Sequence, residues 1–377
     1  MIIAHLSDLH ISRFGTSLTQ TRALSRAATE GDPWETIREE AGGWRIQALR
    51  ATQSRLRWKD RLRLVDPSGI IHDAIKIKKG EEEQSVAGLV ALMERRQRVS
   101  AGALAASFPS AQELAALLAE DWDNGNLRFC AVAHQLRRDA PDWLLVTGDL
   151  TDDAEGFELI EAGFAPFIEA RRLVCIPGNH DIYPSPPLVT SPSARKTEAG
   201  KRRLWGTFAA RVGMPAGGSH VAMLGPSVAL ACLDSCHPPR IPASASGLVQ
   251  LHELPQVVGA LDTLAGAEGL RLACLHHHIT NPPRTALGSS PFQPGMRLRN
   301  ARSVLEALSG AGVSVIMNGH RHLGYRYQPA GGPLFLSAPS TTMGCQSGQP
   351  PFYWQINVGP EGLGAIREVP IEALAAR

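Results

Sequence analysis

The sequence predicts an α/β fold in which short buried strands alternate with helices, and three observations lead there. Apolar runs at Leu173–Pro177, Ser227–Leu233, Leu270–Leu275 and Val313–Asn318 each end at a loop, and runs of this length and composition suit buried strands. Helical spacing fills the stretches Gly156–Ala170, Leu251–Ala265 and Ala301–Ser309 between them, as layered α/β domains require. Five polar clusters then follow directly on strand-like runs: Asp8-Leu9-His10, Gly148-Asp149-Leu150-Thr151-Asp152, Gly178-Asn179-His180-Asp181, His276-His277-His278 and Gly319-His320-Arg321-His322. Five strand ends are thus expected to present oxygen and nitrogen donors at one edge of one sheet, where open α/β sheets commonly bind ligands.

Taken in chain order, the first strand is expected over Met1–Ser7, and a helix–strand pair near Cys130–Thr147. The long stretch between them has patterning of its own. Arg55 to Val65 alternates apolar residues (Leu56, Trp58, Leu62, Leu64) with mostly basic ones, as a half-exposed strand does. Asp66-Pro67-Ser68-Gly69 is a turn sequence, and Ile70–Lys78 alternates again, so a β-hairpin is expected. Glu81–Arg98 and Ala111–Glu120 read as helices, the first with acids early and bases late, the second with Ser110 as N-cap. Leu334–Ser337 and Tyr353–Val358 are expected as later strands of a second sheet. Two segments offer themselves as cleft linings: Tyr183–Pro192, and Ser337 to Thr342 with Gly344, for which a tight turn is an equal reading.

Composition sets bounds. At 377 residues, 44% hydrophobic and 20% charged, the chain has the make-up of an ordinary globular protein with a substantial core. A net charge of +2 argues for no polyanionic partner. The six cysteines show no C-x-x-C spacing, and Cys175 and Cys274 fall inside apparent strands, so buried free thiols are expected. No charged leader precedes an apolar stretch and no apolar run is long enough to cross a bilayer, which makes a cytoplasmic enzyme the expectation.

Asp8, His10, Asp149, Asn179, one histidine of the triplet, His320 and His322 make seven candidate metal ligands. A hydrolytic zinc takes about three protein ligands plus water, so seven exceed one ion and fit two that share a carboxylate. Metals roughly 3.5–4 Å apart clamp the attacking and leaving oxygens of a displacement at phosphorus. Carboxylate, imidazole and amide donors together suit iron, manganese, zinc or cobalt.

D-x-H, G-D-x-x-D, G-N-H-D, H and G-H-x-H, in this order, resemble the signature of the calcineurin-like metallophosphoesterases. The flanking text Ala4-His5-Leu6-Ser7 and Pro141 to Thr147 looks like the branch that contains class III cyclic-nucleotide and glycerophosphodiester phosphodiesterases. The resemblance covers residues 1–12 and about 128–345. It implies a four-layer αββα sandwich, with 1–13 and 128–377 as the catalytic domain and 14–127 as a large α+β insertion after the first strand. It also implies that Asp8, His10 and His322 hold one metal and Asn179, a triplet histidine and His320 the other, with Asp149 bridging and a metal-activated hydroxide attacking phosphorus. Catalytic His180 would sit over the phosphate, oriented by Asp152, and Asp181 would fix loop geometry. Within the triplet His276 is chosen, because the first histidine after the strand is usually the ligand. His277 is expected to face away. Arg321 most simply points away from its flanking histidines.

The favoured activity is hydrolysis of a phosphodiester, nucleotide-like or small-molecule. A nuclease, a phosphomonoesterase and a non-catalytic scaffold are the alternatives. Residues 38–63 carry eight basic against three acidic side chains, with Trp44 and Trp58 among them, a composition that also suits a nucleic-acid surface. Acids elsewhere in the insertion nearly cancel this charge, which favours a lid or a dimerisation element.

Overall fold

The computed structural model describes residues 1–16, 34–49, 61–77, 80–185, 195–238, 245–280, 296–344 and 350–375. Leu56, Trp58, most of the Tyr183–Pro192 segment and Cys345 lie outside these residues.

Two sheets form the body of the protein. The first runs Gly362–Pro370, Phe352–Gly359, Ile2–Leu6, Trp143–Thr147, Leu173–Ile176, with the last three mutually parallel. The second runs Tyr325–Tyr327, Leu334–Ser337, Val315–Asn318, Leu270–Cys274, Val228–Cys232, His220–Gly225, and its four central strands are parallel. Successive side chains on a strand face opposite ways, and the apolar residues sort accordingly. Ile3, Leu145, Val174 and Ile356 of the first sheet share a core with Leu230, Leu272, Val315 and Met317 of the second. Ala4, Leu6, Leu144 and Val146 face outward onto Phe129, Val132, Phe164 and Phe208 of the covering helices. Ala231, Ala273 and Ile316 on the other side meet Val257, Leu261, Val304 and Leu308. Helix, sheet, sheet and helix give the expected four layers.

Two expectations need correction. The five polar clusters do not share one sheet: three follow strands of the first sheet and two follow Leu270–Cys274 and Val315–Asn318 of the second. The Phe352–Gly359 strand belongs to the first sheet, antiparallel to Ile2–Leu6, whereas Leu334–Ser337 does lie in the second. Apolar content alone cannot distinguish these outcomes, because Phe352–Gly359 and Leu334–Ser337 are both buried along most of their length.

A separate four-stranded antiparallel sheet comprises Glu35–Glu40, Trp44–Leu49, Arg61–Val65 and Ile71–Lys76. Its last two strands are the expected hairpin, closed by Asp66, which accepts from Ile70 N at 2.9 Å and Ser68 Oγ at 2.7 Å. One face packs Trp44, Ile46, Leu62 and Leu64 against Leu89 and Met93 of the helix Glu82–Arg98, a core distinct from the other three. Val99, Ala101, Leu104, Leu114 and Leu118, in contrast, join the outer core of the first sheet. Ser110 caps the helix Ala111–Glu120 in a complete capping box. Among the described residues no helix is long and apolar enough to cross a membrane.

Candidate metal centre

The carboxyl ends of five parallel strands converge where the two sheets meet, and there the backbone departs from ordinary conformations. Asp8, His10, Asp149, His320 and His322 all have positive φ, between 49° and 76°, and make up five of the eight non-glycine residues of this kind among those described. Each costs of order 1 kcal/mol, and such residues persist only where surrounding contacts over-determine them. Those contacts are present. The two loops are zipped together by Asp8 N to Gly148 O and His10 N to Asp149 O, both at 3.0 Å. Ser340 Oγ donates to Asp8 O at 2.7 Å, Thr341 Oγ1 to Ser7 O at 3.0 Å and Thr342 Oγ1 to Leu9 O at 2.8 Å. Asp181 accepts from Leu150 N, Thr151 N, Thr151 Oγ1 and Gly178 N, so a single carboxylate ties the second cluster to the third.

On this frame the donors fall into groups. Asp8, His10 and His322 offer atoms within 4.8 Å of one another, and so do Asp149, His276 and His320. Asp149 Oδ2 reaches a histidine of each, 3.9 Å from His10 Nε2 and 3.4 Å from His276 Nε2, and a third set of this kind joins Asp149 and His10 with His180. Asn179 Oδ1 lies 3.1 Å from His276 Nε2. Two imidazoles are held in one tautomer from behind. His276 Nδ1 faces the Thr147 carbonyl at 2.8 Å and His10 Nδ1 faces Asp152 Oδ1 at 2.6 Å, so that each ring, once neutral, turns the lone pair of its Nε2 into the centre.

The residues fit cations. His10 Nε2 and His322 Nε2 stand 2.9 Å apart, and His276 Nε2 and His320 Nδ1 3.1 Å apart. Tetrahedral ligands at zinc–nitrogen distances are spaced about 3.3 Å from one another, so nitrogen pairs this close are natural around a shared ion. Charge says the same. Burial opposes ionisation throughout, yet the Asp152, Asp149 and Asp8 carboxylates lift His10 to about 10, and Asp149 lifts His276 to about 9. Burial likewise raises Asp8 and Asp149, but the surrounding imidazoles win and hold both below the usual carboxylate range. Burial and the neighbouring imidazoles push His320 the other way, but carboxylates that draw protons onto His10 and His276 mark a site that wants positive charge.

Residues 121–324 match the family model described as calcineurin-like phosphoesterase. The chain belongs to the calcineurin-like phosphoesterase family. The match spans four of the five clusters, and the first, at Asp8 to His10, lies before it. No curated protein matches the chain. Solved structures with similarity include a dimetal phosphatase from Danio rerio, at 12% identity over 66% of this chain and 88% of that one, with a TM-score of 0.39. Another is a purple acid phosphatase from yellow lupin (Lupinus luteus) seeds, at 12% identity over 64% and 47%, TM-score 0.42. A third is Vacuolar Protein Sorting 29 from Cryptosporidium parvum, at 13% identity over 63% and 88%, TM-score 0.24. At these scores the likeness adds nothing to the assignment, which rests on the family match.

In this metallophosphoesterase all nine predicted site residues come together. His180 is the most open, its side chain 30% exposed, with its ring centroid 4.9 Å from that of His10. Its Nδ1 lies 3.2 Å from the Asp152 carbonyl and 3.5 Å from Asp152 Oδ1. The closer partner of Asp152 is therefore His10, a relation that sequence spacing did not suggest. His277 and His278 are buried and hydrogen-bonded away from the donors, to Ser235 Oγ at 2.8 Å and Tyr325 Oη at 3.0 Å respectively. The Ser340–Thr342 segment serves as the strap under Asp8. Sequence reasoning missed Lys201, a fully buried lysine whose Nζ donates to the His180 carbonyl at 2.7 Å. In the sequence it reads as one more basic residue on a polar helix.

Proposed function

We propose that this metallophosphoesterase hydrolyses phosphodiesters at a dinuclear centre. Asp8, His10 and His322 would hold one cation and Asn179, His276 and His320 the other, with Asp149 available to both. The observation that carries this reading is the placement of Asp149 Oδ2 between two histidine-bearing donor groups. Divalent cations of the manganese, iron, zinc or cobalt type supply Lewis acidity there, neutralising phosphate charge and making water nucleophilic near neutral pH.

The chain's own residues do the rest. Asp152 and the Thr147 carbonyl keep His10 and His276 in the ligand tautomer. His180, at the open side of the cluster, holds a proton for the departing oxygen, and its backbone N–H is anchored on Asp149 Oδ1 at 2.8 Å. The preference for diesters is supported by the flanking segments Ala4–Ser7 and Pro141–Thr147, which resemble the class III phosphodiesterase branch. Residues 14–127 are read as an inserted lid or dimerisation element; the independent core around Trp44 supports this for the part up to Met93, whereas Val99 to Leu118 pack into the outer core of the first sheet. The protein is taken to work in the cytoplasm.

A metal-reconstituted activity panel tests this. It comprises bis-(p-nitrophenyl) phosphate, p-nitrophenyl phosphate, cyclic nucleotides, glycerophosphodiesters and single-stranded DNA. Diester turnover well above monoester turnover is expected. Faster monoester cleavage makes the protein a phosphomonoesterase, salt-sensitive cleavage of DNA a nuclease. Absence of all turnover in protein that carries two ions per chain defeats the catalytic reading.

A further inference from the structure

Lys201 sits on the helix Glu198–Arg211, 21 residues after His180, with a side chain only 1% exposed. Its ammonium reaches two acceptors, the His180 carbonyl and Asp153 Oδ1, both at 2.7 Å. Asp153 in turn accepts from Ser185 Oγ at 2.8 Å and from Lys196 Nζ at 3.0 Å. Ser185 and Lys196 are themselves joined, Ser185 N to Lys196 O at 3.0 Å and Lys196 N to Ser185 Oγ at 2.9 Å.

Removing an ammonium from water costs several kcal/mol, and an apolar side chain of similar volume often serves stability as well or better. Packing therefore does not explain a lysine here, whereas the position it imposes does. The His180 carbonyl lies in a single helical turn, Asn179–Ile182, too short to satisfy its own terminal carbonyls. His180 is otherwise held through its backbone N–H on Asp149 and its ring on the Asp152 carbonyl. Lys201 supplies the third point and links it to Asp153, the residue next to Asp152.

We propose that Lys201, braced by Asp153, is a positioning residue that fixes His180 over the metal pair. This rests on the reading of His180 given above, and it adds a lysine and an aspartate that bind neither metal nor substrate. A misplacement of about 1 Å at a reacting group can cost roughly 100-fold in rate.

The test is a double-mutant cycle on the metal-loaded enzyme with bis-(p-nitrophenyl) phosphate. Lys201→Met should lower kcat by about 10- to 100-fold, with KM and metal content unchanged. The same substitution made in His180→Ala should cost little more, because the group it positions is gone. Asp153→Asn should reproduce the pattern if Lys201→Met folds poorly. An equal fold-loss in both backgrounds would reduce Lys201 to a structural role and overturn the proposal. A second readout needs no turnover. In the metal-free protein, the His180 ring 1H–15N signals, assigned by their loss in His180→Ala, should move in Lys201→Met while those of His278 stay. Unmoved His180 signals overturn the proposal. Undiminished activity of His180→Ala would refute the role given to His180 instead, and the ring signals would still decide whether Lys201 positions it.

Discussion

Asp152 Oδ1 lies 2.6 Å from His10 Nδ1, and this contact aims His10 Nε2 at Asp8, Asp149 and His322. The second acid of G-D-x-x-D thus stands behind a proposed ligand as well as beside His180. Partners placed behind metal ligands are typically worth 10–100-fold in metal affinity. Asp152→Ala should weaken binding of one ion by about that factor and leave the other nearly unchanged. Calorimetric titration of the chelator-stripped protein would show it, and two unaltered affinities would remove Asp152 from this role.

His180→Ala should keep both ions and lose activity by about 10²–10⁴-fold, the usual contribution of an acid–base group. Elemental analysis beside steady-state kinetics separates the two effects. Loss of an ion would mean that His180 is a ligand.

Loading should release protons. In the cation-free centre the His10 and His276 imidazoles, buried but dominated by carboxylates, are lifted to about 10 and about 9. Both are charged at pH 7 and must be neutral to bind metal. Each shift favours the protonated form below its raised pKa, so apparent metal affinity rises with pH up to about 9 and levels off above about 10. Titration in buffers of different ionisation enthalpy should find close to two protons released per chain at pH 7. No release would contradict the charge balance described above.

Asp66 provides a test away from the metals. Burial raises its pKa, but His72, Ser68 and the Ile70 N–H together hold it below 3.8. A depressed carboxylate stabilises the fold above its unfolded pKa, and that contribution fades as pH falls through the folded value. Asp66→Ala should cost about 2 kcal/mol near neutrality, with the gap from the parent protein narrowing below about pH 4. Denaturant melts between pH 3 and 7 measure the gap; one that is constant with pH would show that the charge contributes nothing.

Gly178 has no room for a side chain. A Cβ there would fall 2.0 Å from Asp149 N and 2.1 Å from Asp149 Oδ1. The Gly178→Ala protein should have the shared carboxylate displaced and bind metal more weakly, while far-ultraviolet circular dichroism keeps the α/β signature. Full metal occupancy with normal activity would mean that the loop yields without moving Asp149.

Much of this site could be read in the sequence because each donor cluster follows a short, mainly apolar strand. Val315 to Asn318 announces Gly319 and His320, and Leu270 to Cys274 announces His276, with no tertiary information required. What escaped was whatever depends on which strands lie side by side. Phe352–Gly359 returns to the first sheet although its composition suits either. The strands Glu35–Glu40 and Trp44–Leu49 went unrecognised, the first because its six residues include four charged ones on an exposed edge. Supporting residues were the hardest to see. Lys201 resembles any surface lysine until the fold buries it, and the hydroxyls of Ser340, Thr341 and Thr342 resemble a turn until residues 7–9 are laid against them.

That hydroxyl strap has a bearing on how the protein comes into being. Ser340 grips the Asp8 carbonyl across 332 positions of chain, and His322 completes the same donor group. A ribosome therefore releases the first acid of the centre long before it makes the residues that shape it. Asp8 and His10 cannot take up their places in this centre until His322 and the Ser340–Thr342 strap have also been made.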